Sequence, residues 1–358
     1  MKLPHTTMLA ALLLTAPAAA QLQITPPAAT PSAPAEKQKP KPHTITKKKE
    51  AAPAPKPSAS PKPSPSPKPA ATVIPAPPTD DPNVDLVFGA YQRGQYKTAF
   101  ELATARAQAG DSKAMTMLGE LYSNAMGIRR DYAKAAEWYK RAADSGDREA
   151  MFALAMLRMS GRGGPVDKGE AVKLMASAAK LGEPKAAYNL ALLYLDGQTL
   201  PQDVRRSAEL LRQAADAGLP EAQYALATFY KEGTGVPKDA ERAVRLLQAA
   251  SLADNVDAEV EYAIAMFNGT GTPKNQPAAV ALLRKASRQG SAIAQNRLAW
   301  VLINGVGTPM DKVEGFKWHL VAKTAGKGDP ELDKQLSDLP AEERAKAEAA
   351  AKKWLGTK

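Results

Sequence analysis

The chain has 358 residues, a formal net charge of +11, three histidines and no cysteine. Without cysteine there is no disulfide framework and no lipid-modified cysteine anchor, and three scattered histidines do not make a Cys/His zinc site. The 30 prolines are unevenly spread, so the chain changes character along its length.

Met1–Ala20 begins with Lys2, carries an apolar run from Met8 to Leu14 and closes on Ala18, Ala19 and Ala20. The run is too short to span a bilayer, and the small residues at its end suit a signal peptidase. Cleavage near Ala20 and export to the periplasm of a bacterium are expected. No later stretch reads as a transmembrane segment.

Residues 21–82 hold 18 of the 30 prolines, spaced by Ala, Ser, Thr and Lys, as in Pro61-Lys-Pro-Ser-Pro-Ser-Pro-Lys-Pro69. This composition cannot bury a core and predicts a disordered, extended linker. As far as Pro78, its nine lysines meet only Glu36 and Glu50, so it is strongly basic. Two uses stay open: a solvated spacer, or a contact with an anionic cell-wall polymer through non-specific electrostatics. Nucleic acid is not expected, because no aromatic residue is interleaved to stack on bases.

Apolar residues return at Asn83. Phe88, Tyr91 and Tyr96 lead into Ala99, Leu102 and Arg106, which predicts a degenerate N-terminal helical hairpin over 83–110. A period of 36 residues then takes over. Leu118, Leu154, Leu190, Leu226, Tyr262 and Leu298 form one series, each followed by Gly or Ala. Four residues before each stands alanine: Ala114, Ala150, Ala186, Ala222, Ala258 and Ala294. Asp131, Asp167, Asp203, Asp239, Asn275 and Asp311 stand where a helix N-cap is wanted. Trp138, Leu174, Leu210, Leu246, Leu282 and Trp318 supply a large apolar residue, and four residues on an alanine supplies a small one on the same face. Gly146, Gly182, Gly218, Gly290 and Gly326 fall where a helix C-terminus needs a left-handed residue, with Asp254 replacing glycine once. Each unit reads as helix, glycine-rich loop, capped helix, glycine stop. Units of this kind stack into a solenoid.

Taken together, A-x-x-x-L-[GA]-x-x-Y-x-x-G-x-G-V-P-x-D followed by the second-helix pattern resembles the Sel-1-like repeat, a relative of the tetratricopeptide repeat with a longer loop between its helices. The fold class this implies is an all-α, right-handed superhelical solenoid of antiparallel helix pairs in 36-residue repeats, preceded by the disordered Pro-rich segment. Six repeats are expected over 111–329. Beyond Pro330 the register is lost, and helices near Glu331–Leu336 and over Ala341–Leu355 read as a C-terminal cap.

The chemistry inventory is thin. His319 occupies the packing series of Tyr139, Met175, Leu211, Leu247 and Leu283, where a catalytic or metal role would lack partners. The pairs Gly233-Thr-Gly235, Gly269-Thr-Gly271 and Gly305-Val-Gly307 lack the Gly-Lys-Ser/Thr ending of a phosphate loop and recur as inter-helix turns. No enzyme activity, cofactor or metal is expected. Binding is the better reading. Two rows on the first helices flank the packing pair: Thr116, Phe152, Tyr188, Tyr224, Val260 and Asn296, and Glu120, Met156, Leu192, Thr228, Ile264 and Trp300. Phe152, Tyr188, Leu192, Tyr224, Thr228 and Trp300 are the candidate partner-binding residues, offering apolar anchors with polar handles to a protein partner. The alternative is that these rows fill the core between repeats. The resemblance implies an interaction scaffold or adaptor of the cell envelope; a wall-associated structural protein held by its basic linker is the second reading.

Overall fold

A computed structural model describes residues 85–356, and among them are sixteen helices and no strand. An opening pair, α1 (Leu86–Gln92) and α2 (Tyr96–Gln108), precedes six pairs of 13-residue helices. These are α3 (Ser112–Asn124) with α4 (Tyr132–Asp144), α5 (Arg148–Ser160) with α6 (Lys168–Lys180), and α7 (Pro184–Asp196) with α8 (Val204–Asp216). Then come α9 (Pro220–Glu232) with α10 (Ala240–Leu252), α11 (Val256–Asn268) with α12 (Gln276–Arg288), and α13 (Ala292–Asn304) with α14 (Lys312–Thr324). The chain ends with α15 (Pro330–Ser337) and α16 (Ala341–Leu355). The expected signal peptide and Pro-rich linker lie outside the described residues. No described helix is long and apolar enough to cross a membrane.

The caps set the register. Asp131, Asp167, Asp203, Asp239, Asn275 and Asp311 each accept, through a side-chain oxygen, the backbone N–H three residues on, satisfying a donor that the first helical turn leaves free. The loops between paired helices carry a second constraint. A Cβ on Gly163 would lie 2.1 Å from the carbonyl oxygen of Tyr132, and one on Gly271 would lie 2.3 Å from that of Ala240. At these positions only glycine lets the loop rest against the start of the second helix in the preceding pair, which fastens the two units together.

Packing follows the large–small alternation. The first-helix alanines from Ala114 to Ala294 and the second-helix alanines from Ala142 to Ala322 are all buried. Small side chains let the backbones approach, and from α1 to α14 each helix packs on its neighbours before and after it in the chain. This wrapping corrects one expectation. In the second helices Tyr139, Met175, Leu211, Leu247, Leu283 and His319 are all buried, whereas of the expected row only Leu210 and Trp318 are buried and Trp138, Leu174, Leu246 and Leu282 are half-buried. The residue one step round the helix faces the gap between successive pairs, so it is covered from both sides. At the C-terminal end, α16 lies along α14, burying Ala347 and Ala351, with Trp354 set edge-on to Trp318 at 4.9 Å.

Candidate functional site

Phe152 on α5, Tyr188 on α7 and Tyr224 on α9 recur one repeat apart, so the stacking of pairs sets them in a row. All three are half-buried against one continuous core cluster, which leaves part of each ring open to solvent. Thr228, one turn beyond Tyr224, is half-buried and donates its hydroxyl to the Tyr224 carbonyl at 3.2 Å. Trp300 on α13 is half-buried too, but it packs on the next core cluster along the stack. Leu192 does not belong to the surface: it is buried in α7. A first helix has neighbours on two sides, so a position two residues past the packing leucine can still be covered, and Leu192 is. The same effect buries Val260, which interrupts the row between Tyr224 and Asn296.

The row is bordered by acid. Burial, with the Glu221 carboxylate second, raises the phenol of Tyr188 above its ordinary range. Burial also raises Tyr224, reinforced by Glu261, Asp257 and Glu232. Both phenols therefore stay neutral and keep a hydroxyl to donate. Glu261 is bridged to Lys231 of the neighbouring first helix at 3.0 Å. The result is a surface of aromatic faces with carboxylates at its margin.

The sequence reading missed a cavity of about 360 Å³ at the start of the stack, lined by Phe88, Arg106, Lys113, Met117, Glu120 and neighbours. Phe88 is exposed there, and Arg106 is held between Asp85 at 3.2 Å and Asp111 at 2.6 Å. The one available signal was Phe88 itself, an aromatic residue outside the 36-residue register. His319 gains a partner that register could not supply. It is fully buried, and its Nε2 lies 2.9 Å from Oδ1 of Asp333, which also accepts from Lys323 at 2.7 Å. Those two hydrogen bonds, Lys323 first, hold the Asp333 carboxyl below the usual range. The pair ties α15 to α14. Among the described residues no group of His, Cys, Asp and Glu is placed to hold a metal ion.

Among solved structures, a Sel1 repeat protein from Oxalobacter formigenes is 26% identical, covering 67% of this chain and 98% of its own, with a TM-score of 0.60. A protective antigen of uropathogenic Escherichia coli strains displaying an SLR fold is 24% identical, covering 75% of this chain and 67% of its own, with a TM-score of 0.51, a likeness of fold. No curated protein matches the chain. Sel1 repeats are scaffolds that generally mediate protein–protein interaction and are generally non-catalytic. The Sel1 repeat family model matches residues 112–147, 148–183, 184–219, 220–255, 256–291 and 292–327 in unbroken succession, and the chain belongs to the Sel1 repeat family.

Proposed function

We propose that this protein is a non-enzymatic adaptor of the bacterial periplasm or cell envelope that holds a protein partner on the first-helix face of its repeats. The observation that carries this reading is the row Phe152, Tyr188 and Tyr224, which is partly open to solvent and bordered by Glu221, Asp257 and Glu261. Half-buried aromatic residues offer rigid apolar area at little entropic cost, and their hydroxyls fix orientation. Trp300 and Thr228 extend the same face. The location rests on the layout of Met1–Ala20, and the basic linker that follows favours a wall-associated role as the second reading.

The test is in-cell photocrosslinking of the full chain. A crosslinking side chain placed at Tyr188 or Tyr224 is expected to capture a defined protein that the same side chain at exposed Lys173, on a second helix, does not. Equal capture from both faces, or none from Tyr188 and Tyr224, sinks the reading. Capture that survives removal of the aromatic rings but is released by salt points to the basic linker instead.

A further inference from the structure

In a repeat protein the features shared by every unit build the scaffold, so a constellation present at one junction alone has another use. Tyr230, near the end of α9, is such a place. Its phenol oxygen accepts from Arg212 Nη2 of α8 at 3.2 Å and from Arg242 Nη1 of α10 at 3.4 Å. Tyr230 is buried while both arginines are exposed, so a fixed oxygen gathers two guanidinium groups at the surface.

The register shows how unusual this is. The positions of Arg212, Tyr230 and Arg242 are held elsewhere by Thr104, Tyr122 and Lys134; by Lys140, Arg158 and Glu170; and by Ala176, Tyr194 and Arg206. Further on they are Gln248, Met266 and Ala278, then Arg284, Leu302 and Glu314. Only one junction has a phenol between two guanidiniums. Where Arg158 and Glu170 occupy the register, they close on each other at 2.8 Å and leave no charge over. At Tyr230 the charge is not closed. Asp239 takes Arg242 Nε at 3.1 Å, but no carboxylate among the described residues pairs with Arg212.

Two cations drawn to one neutral oxygen repel each other, and an anion set against both removes that cost. We propose that Arg212 and Arg242, positioned by Tyr230, bind a phosphate group. A carboxylate has two oxygens and is satisfied by one guanidinium fork, whereas a tetrahedral phosphate presents oxygens to two forks at once. The hydrogen bonds from Arg242 and Arg212 also outweigh burial and lower the Tyr230 phenol from its ordinary range, as expected beneath a local excess of positive charge. The site uses neither Tyr188 nor Tyr224.

Calorimetric titration of the full chain at low ionic strength, with inorganic phosphate, dimethyl phosphate and acetate, tests this. Phosphate is expected to bind saturably, about tenfold more weakly in Arg212→Gln and about threefold or more weakly in Tyr230→Phe, with acetate well below phosphate. Arg206→Gln, at the register equivalent of Arg242, is expected to leave binding unchanged. Dimethyl phosphate matching inorganic phosphate identifies a diester, as in a lipid headgroup or polymer linkage; weaker binding identifies free phosphate or a monoester. The proposal is overturned if phosphate fails to saturate, if it binds Arg212→Gln and Tyr230→Phe as it binds the parent, if acetate binds as well, or if Arg206→Gln loses as much. Circular dichroism and melting of each variant separate these results from unfolding.

Discussion

Glu259 of α11 is fully buried, and Lys285 of α12 reaches it, donating from Nζ to one carboxylate oxygen while the other oxygen has no partner. The same register position holds Gln223 and Gln295, whose side-chain amides donate to the carbonyls of Ala215 at 3.3 Å and Ser287 at 3.1 Å. A carboxylate cannot donate, so Glu259 needs the cation that glutamine does without. Lys285 also bonds Asp254 at 2.7 Å, which anchors it over the site. Lys285→Met is therefore expected to lower the melting temperature by about 5 °C or more, because a buried charge loses its partner. Adding Glu259→Gln is expected to recover most of that loss. Thermal melts of the two single variants and the double variant form a cycle, and simple additivity would refute the coupling.

Gly119 stands where the other repeats carry alanine, and the reason is Tyr139. A Cβ at Gly119 would lie 2.5 Å from the Tyr139 ring, which occupies the buried position filled by Met175 or Leu211 elsewhere. A larger second-helix residue is matched by a smaller first-helix one. Gly119→Ala is expected to destabilise by about 1–3 kcal/mol through overpacking, despite the better helix propensity of alanine. Tyr139→Leu is expected to relieve it, so chemical denaturation of the pair together checks the size match.

The fold was readable because the period was. Caps at Asp131 through Asp311 and stops at Gly146 through Gly326 are local demands of the backbone, and local demands are written in local residues. The candidate surface was harder. Whether a residue two steps from Leu190 is covered depends on the neighbouring pair, which is why Tyr188 is partly open and Leu192 is buried. The Asp333 partner of His319 and the Arg212–Tyr230–Arg242 junction come from different helices and break the register, so periodicity could not find them.

The buried phenols make stability depend on alkaline pH. Burial pushes Tyr139 up to about 12, and Tyr224 is raised as well, against an unfolded value of 10.0. The folded state thus keeps a proton that the unfolded state sheds, and stability must fall as pH rises. The contribution is complete below pH 10 and is lost between there and about pH 12, with a slope of about 1.4 kcal/mol per pH unit for Tyr139. Urea unfolding at pH 9, 10 and 11 is expected to show this decline, and Tyr139→Phe is expected to remove its share. Parallel pH curves for the parent and Tyr139→Phe would refute the assignment.

A second glycine-to-alanine change isolates backbone strain from packing. Gly218, at the end of α8, has φ +84°, and a Cβ there would meet nothing within 4 Å. Gly218→Ala therefore adds no clash, and its cost is the left-handed conformation alone, about 1 kcal/mol. The chain already carries a comparable case: Asp254 occupies the equivalent position after α10 with φ 58°, where its carboxylate is held by Lys285. Aspartate tolerates this region better than alanine because its short polar side chain bonds locally, and here it has a lysine to bond. Gly218→Asp should consequently cost less than Gly218→Ala, and less again if a cation is supplied at Ala249, the register equivalent of Lys285. Denaturation of the parent, Gly218→Ala, Gly218→Asp and Gly218→Asp with Ala249→Lys would distinguish the two terms, and variants as stable as the parent would show that this turn carries no strain.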